Sequence, residues 1–205
     1  MADAIVHVID DDAALRDSLA FLLGSAGLLV RTFESAQAFL QELASIETGC
    51  VVTDIRMPGI DGFELLRLLQ EMGKGLPVIV MTGHGDVPLA VKAMRLGAAD
   101  FVEKPFEDEV MIDSVRSALT SNVPLHQAVA GVSDEMALRL ASLSRRERQV
   151  LAGLVDGQTN KEIARQFDLS PRTVEVYRAK LMTKMQANNI SELVRFAMRA
   201  GVTGG

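Results

Sequence analysis

The stretch VVTDIRMPGIDG, residues 51–62, decides the fold. An apolar, β-branched run carries one carboxylate, Asp54, to its tip, and a Pro58-Gly59 turn follows. Such a run, bounded by turn residues, reads as a buried strand. Together with IVHVID (5–10), LLVRTF (28–33), PVIVMT (77–82) and DFVEKP (100–105), the run CVVTDI (50–55) makes a set of five, separated by segments of helical periodicity. Leu15, Leu19, Leu22 and Leu23 in the first of these segments, and Phe63, Leu65, Leu66 and Leu69 in the third, mark broad buried faces. Repeated βα units imply a parallel sheet with helices on both sides. Runs one, three and four are nearly all apolar, as interior strands must be, whereas runs two and five carry Arg31 or Glu103 and Lys104. The expected order is therefore 2-1-3-4-5, the flavodoxin-like (βα)5 arrangement.

At 205 residues and 48% hydrophobic, the chain is long enough for two domains. No run approaches the length of a membrane span, and MADAIVHVIDDD lacks the features of a signal peptide, so the expected location is the cytoplasm, with no membrane partner. Cys50 is alone and opens an apolar run, which makes it a small core residue, and His7, His84 and His126 share no metal-ligand spacing. Residues 1–124 hold 19 acidic and 9 basic side chains, a net −10, and residues 125–205 hold 8 and 12, a net +4. An acidic first half and a basic second half point to different tasks, the second facing a polyanion.

The expected division is a domain over 1–121, a linker over 122–142 and a helical domain over 143–205. Ser144-Arg-Arg-Glu147 and Thr159-Asn-Lys-Glu162 fit capping boxes, and Ser170-Pro171 puts an N-cap before a proline at the first helical position. The second domain is thus an all-α, four-helix unit.

In open α/β sheets, functional groups collect at the carboxyl ends of the strands. Asp10 and Asp11 end the first strand, Asp54 the third, Thr82 the fourth and Lys104 the fifth. Carboxylates brought within about 4 Å repel by roughly 4 kcal/mol per pair at an effective dielectric near 20. A hard divalent cation relieves this, and a site with few carboxylates suits Mg²⁺. A cation, a hydroxyl and an ammonium around Asp54 would make it a nucleophile toward phosphorus. Taken singly, Asp12 reads as a helix cap, Asp61 as a turn or cap, and Asp100 as a solvated loop acid.

IDDD (9–12), VVTDIRMPGIDG (51–62), VIVMTGHGD (78–86) and DFVEKPF (100–106) together resemble the receiver domains of bacterial two-component response regulators. The resemblance implies that Asp54 accepts a phosphoryl group from a sensor histidine kinase. It implies that Asp11, Asp54 and the backbone carbonyl of Arg56 hold Mg²⁺, with Asp10 assisting through water. Lys104, before a cis bond to Pro105, and Thr82 would contact the phosphate, and Phe101 occupies the position of a switch aromatic. Phosphorylation adds roughly −1.5 to −2 charges at this point. Rearrangement of Thr82 and Phe101 would then alter a surface carrying Val91, Arg95, Asp100 and Glu103, through which a homodimer is expected to form.

The segment TNKEIARQFDLSPRTVEVYRAKLMTKM (159–185) reads as helix, turn, helix, with Ile163, Ala164, Phe167, Leu169, Val174, Tyr177, Leu181 and Met185 as shared core. The opposite face of the second helix presents Arg172, Glu175, Val176, Ala179 and Thr183, flanked by Arg178, Lys180 and Lys184, a pattern able to enter a major groove. Residues 143–198 resemble a LuxR-type helix-turn-helix domain along their length. In such domains Arg172, Thr173, Glu175, Val176 and Ala179 occupy groove-facing positions, and Asn160, Lys161, Lys180 and Lys184 are phosphate contacts. The last helix would offer Leu193, Ala197 and Met198 for pairing on DNA.

A receiver followed by this module is the arrangement of the NarL/FixJ subgroup, and the motifs look most like its nitrogen-fixation regulators. The implied function is a phosphorylation-activated transcriptional regulator, an activator, with a sensor kinase, duplex DNA promoter sites and RNA polymerase as partners. Two alternatives share parts of the pattern. A Mg²⁺-dependent aspartyl-phosphate phosphatase or phosphotransferase needs the same acids, but such enzymes place the nucleophile in a DxDx[TV] motif on the first strand, which here ends IDDDAA. A receiver with a protein-binding helical output is the other.

Overall fold

The computed structural model describes residues 5–83, 87–120, 134–187 and 190–202. They fall in two compact units, one drawn from Met1–His84 and Leu96–Pro124 and the other from Gly85–Arg95 and Leu125–Gly205.

In the first unit, β1 (Ile5–Ile9), β2 (Leu29–Phe33), β3 (Gly49–Asp54), β4 (Val78–Thr82) and β5 (Asp100–Glu103) pair in parallel in the order β2-β1-β3-β4-β5. This is the order expected from the contrast between apolar and charged runs. β3 and β4 are buried almost throughout, whereas most of β2 is exposed. The helices are α1 (Ala13–Ser25), α2 (Ala36–Glu42), α3 (Gly62–Glu71) and α5 (Asp108–Thr120). A further helix, α4 (Val87–Arg95), follows β4 in sequence and is grouped with the second unit. Asp12 caps α1 by accepting from the N–H groups of Ala14 and Leu15, and Asp61 caps α3 by accepting from Glu64, which matches their reading as caps.

Alternate residues of each strand face opposite sides of the sheet. On one side Val6, Val8, Cys50, Val52, Ile79, Met81 and Val102 pack with Leu19 and Leu23 of α1 and Met111 and Val115 of α5. Burial pushes the Cys50 thiol up to about 12, so it is an inert core residue, as its surroundings in the sequence imply. On the other side His7, 1% exposed, lies against Phe33 and Phe39, with ring centroids 6.0 and 5.6 Å away. Both ring nitrogens are buried without a hydrogen-bond partner in the structure. Desolvation lowers the His7 pKa below its ordinary 6.5, against a smaller opposing pull from the Thr48 backbone and with a still smaller push from the Arg31 guanidinium.

The second unit contains α6 (Asp134–Ala141), α7 (Arg145–Val155), α8 (Asn160–Phe167), α9 (Pro171–Met185) and α10 (Ile190–Arg199). Of the linker expected over 122–142, residues 122–133 lie outside the described residues, and α6 occupies most of the remainder. Arg139 on α6 donates to the Met185 carbonyl at 3.0 Å and to Gln186 Oε1 at 2.6 Å, tying α6 to the end of α9. Both capping boxes are formed, by Ser144 with Glu147 and by Thr159 with Glu162. Val150, Leu151, Leu154, Ile163, Ala164, Val174, Leu181 and Met185 form the buried interior. Leu193 and Ala197, expected as an offered pairing surface, are each 0% exposed. They are core residues, because the apolar face of α10 is already used inside its own unit.

Glu147 is 4% exposed, yet its carboxylate accepts from Lys184 Nζ and the Ser144 N–H, each at 2.7–2.8 Å. The Lys184 hydrogen bond first, then that of Ser144, lowers its pKa from 4.5 to about 2. A hydrogen bond to a charged group contributes about 1.5–3 kcal/mol. Because the folded pKa is depressed, this stability is complete above pH 4.5 and is lost as pH falls toward 2. Glu147→Gln should therefore lower the melting temperature at neutral pH and flatten the acid limb of the second unit's unfolding curve. For His7 the folded pKa also lies below the unfolded value, and a neutral imidazole is favoured by folding. Its penalty is absent well above pH 6.5 and grows as pH falls through that value. Thermal melts of the first unit at about pH 8 and about pH 5.5 should show a loss in the wild type that His7→Leu reduces.

Candidate functional site

The ends of three strands place one charged cluster. Ile9 is in register with Thr53 and Asp54 with Met81, so the residues following β1 and ending β3 share a rim of the sheet. Lys104, just beyond β5, is fixed by its own N–H, which donates to the Thr82 carbonyl at 2.7 Å. Its ammonium reaches Asp54 Oδ1 at 2.6 Å and Asp10 Oδ2 at 2.9 Å. Asp10 and Asp54 are 2% and 8% exposed, so this three-membered ion pair is poorly screened by solvent. Burial alone would depress the Lys104 pKa, but hydrogen bonds and charge from Asp54 and Asp10 outweigh it and hold the ammonium above its usual range. The Lys104–Pro105 peptide is cis.

The remaining carboxylate oxygens are held by backbone. Asp54 Oδ2 accepts from the Arg56 N–H at 2.5 Å, and Asp10 Oδ1 from the Asp12 N–H at 2.9 Å. Arg56 and Asp11 are exposed, so the Arg56 main chain, not its guanidinium, borders the pocket. Thr82 and Phe101 are 1% and 3% exposed, the ring packed inward. Gly62, at the start of α3, has a role not apparent from the sequence. A Cβ there would stand 2.2 Å from the Asp54 carbonyl oxygen, so only glycine lets α3 begin this close to β3.

The four residues expected at a dimer surface divide between the units. Asp100 and Glu103 lie at the two ends of β5, and Asp100 is not a loop acid: it accepts from Ser114 Oγ of α5 at 2.9 Å. Val91 and Arg95 belong to α4. Val91 is 2% exposed, and Arg95 donates to the Val155 carbonyl at 3.1 Å and pairs with Asp156 at 3.5 Å within the second unit.

On α9, Arg172, Glu175, Val176, Ala179 and Lys180 are exposed, and Val176 retains 50% of its surface. Other expected contacts have internal tasks. Thr173 bonds the Ser170 cap through both its N–H and its hydroxyl. Asn160 Oδ1 accepts from Arg178, joining α8 to α9 at 3.0 Å. Lys184 holds Glu147, and Lys180 stands over the Tyr177 ring at 5.7 Å from the centroid. The side chains of Arg172, Glu175 and Lys161 make no hydrogen bond or ion pair with any other described residue.

Comparison with known proteins assigns both halves. Residues 6–116 match the response regulator receiver domain, and residues 141–197 match bacterial regulatory proteins of the luxR family. The chain is 58% identical over 197 residues to the transcriptional regulatory protein FixJ of Bradyrhizobium diazoefficiens, covering 96% of each. It is 49% identical over 201 residues to FixJ of Rhizobium meliloti, covering 98% of each. Among solved structures, full-length FixJ from B. japonicum is 57% identical, with 98% of both chains covered and a TM-score of 0.57. The response regulator StyR is 37% identical, with 97% of this chain and all of the other covered at a TM-score of 0.56. The chain therefore belongs to the FixJ-like response regulators, transcriptional regulators in which phosphorylation of a receiver domain activates a LuxR-type DNA-binding domain.

Proposed function

We propose that Asp54 is the phosphoacceptor, taking its phosphoryl group from a sensor histidine kinase, and that α9 carries the resulting signal to promoter DNA. The observation that carries the first half is the Lys104 ammonium bonded to both Asp54 and Asp10 at the strand ends. In the transfer, an Asp54 oxygen attacks phosphorus as the bond to the imidazole nitrogen of phosphohistidine breaks, and the electron pair leaves with that nitrogen. Lys104 follows the new anionic oxygens, and Thr82 donates its hydroxyl to them. The donor set of Asp10, Asp11, Asp54 and the Arg56 carbonyl is all oxygen and suits Mg²⁺. Among the described residues no three acidic, histidine or cysteine side chains already converge, so Asp11 must turn inward to complete the set. When bound, the ion supplies charge neutralisation across carboxylates and phosphoryl oxygens.

The regulator reading is favoured over a phosphatase or a protein-binding output because relatives with transcriptional names align across both halves. Among the described residues no helix is long and apolar enough to cross a membrane, in keeping with a cytoplasmic location. We read the chain as an activator of nitrogen-fixation genes with RNA polymerase as partner, on the resemblance of its motifs to nitrogen-fixation regulators. Phosphorylation drives homodimerisation through a surface drawing on Arg95, Asp100 and Glu103, with Val91 buried beneath it. The DNA contacts comprise Arg172, Thr173, Glu175, Val176 and Ala179 toward bases, and Asn160, Lys161, Lys180 and Lys184 toward phosphates.

With a small phosphodonor and Mg²⁺, the wild type should acquire base-labile phosphate, sediment as a dimer and bind duplex DNA more tightly. Asp54→Asn should do none of these, and label on that variant at the wild-type rate would refute the assignment. Lys161→Ala should weaken binding to all duplexes alike and reduce the slope of log affinity against log salt by about one.

A further inference from the structure

The exposed face of α9 contains one residue that does not fit a surface made for a polyanion. Glu175 is exposed, on a helix that also exposes Arg172 and Lys180, and its side chain makes no hydrogen bond or ion pair with any other described residue. Arg172 and Arg178, three residues away along the helix in either direction, are the neighbours spaced to neutralise it; the Arg178 guanidinium donates instead to Asn160 Oδ1, and Arg172 forms no ion pair with it. An unneutralised carboxylate held against DNA is repelled by phosphates on both sides of the groove. It is tolerated only where it accepts a hydrogen bond that offsets the repulsion.

The major-groove donors able to supply that bond are the exocyclic amines of adenine and cytosine. The adenine N6 amine lies between two acceptors, its own N7 and the thymine O4, and both repel a carboxylate. The cytosine N4 amine has an acceptor, guanine O6, on one side only, and on the other the C–H edge of the ring. A monodentate acidic acceptor therefore discriminates in favour of cytosine, whereas an amide, which donates and accepts, suits adenine. The neighbouring side chains leave room for this approach. Val176 and Ala179 are short and exposed, so the backbone of α9 can come close to the base edges.

We infer that Glu175 is a specificity-determining residue of the DNA interface, accepting a hydrogen bond from the N4 amine of a cytosine in each half-site. This rests on the DNA-binding reading above. Its consequence is a separation of affinity from specificity. Glu175 costs affinity for every duplex through phosphate repulsion, and recovers it only where a cytosine is presented.

The test is selection from randomised duplexes by the full-length, phosphorylated protein, followed by affinity measurements on the selected site and on an unrelated duplex. Wild-type sites should share a fixed cytosine, and replacing it should weaken binding about 5- to 100-fold. Glu175→Ala should lose that preference while binding the unrelated duplex more tightly than wild type. Glu175→Gln should move the preference at the same position toward adenine. Variants that select the wild-type sequence with wild-type affinities would overturn the inference while leaving DNA binding intact. Failure of the wild-type protein to bind any duplex in a salt-dependent way would overturn both. Unchanged melting temperatures for the two variants show that the effects arise at the surface.

Discussion

The bond pair from Lys104 to Asp54 and Asp10 is the constraint on which the receiver unit depends. Two carboxylates, each nearly removed from solvent, face one point because parallel strands in adjacent register end together. Without a cation between them the arrangement would be strongly repulsive. Lys104 supplies it from a position 94 residues from Asp10 and 50 from Asp54, so the pocket exists only when β1, β3 and β5 are assembled in one sheet. An ammonium shared between two acceptors is also readily redistributed. A phosphoryl group on Asp54 offers denser negative charge than either carboxylate, and Lys104, itself held by the Thr82 carbonyl, links that charge to β4 and β5.

What could be read in the sequence follows from how local its causes are. Strand identity and order came from the contrast between apolar and charged runs, and the caps at Asp12, Asp61, Ser144 and Thr159 from short spacing rules, because both are set by near neighbours. The convergence of Asp10, Asp54 and Lys104 was legible because strand ends of a parallel sheet share a rim. The need for glycine at position 62 was not, since the clash is with the Asp54 carbonyl, seen only once α3 docks. Asp100 reads as a solvated acid in the sequence because its partner, Ser114, lies on the helix after the strand. His7 sits in an apolar run like any core residue, and only the approach of Phe33 and Phe39 shows that its nitrogens are left unpaired. Leu193 and Ala197 carried an amphipathic pattern that fits a partner surface or an internal one equally, and packing decided for the internal.

In the helical unit, cations sort by whether they already have work within the fold. Arg139, Arg178 and Lys184 hold α6, α8 and α7 to α9 and contribute to stability through short hydrogen bonds. Arg172 and Lys161 hold nothing among the described residues, which makes them the ones able to meet phosphate or base without first breaking an internal contact. Lys184 would have to release Glu147, a nearly buried carboxylate whose pKa of about 2 records how strongly it keeps that partner. On this ground the proposed DNA contacts rank in contribution to affinity from Arg172 and Lys161 down to Lys184.

The charge distribution also restricts how phosphorylation can raise affinity for DNA. The added group brings roughly −1.5 to −2 charges to a half of the chain already at net −10, so its direct field opposes binding to a polyanion. That opposition is mild, because charges beyond about 8 Å are largely screened at physiological ionic strength. A favourable response must therefore come from a change in state rather than from attraction. The proposed pairing of two chains would supply it: a second basic helical unit brought to the same duplex doubles the number of phosphate contacts and turns the second binding event into an intramolecular one. On the proposed dimerisation, the energy that activates DNA binding is delivered by association of the receivers, and the phosphate acts by making that association favourable.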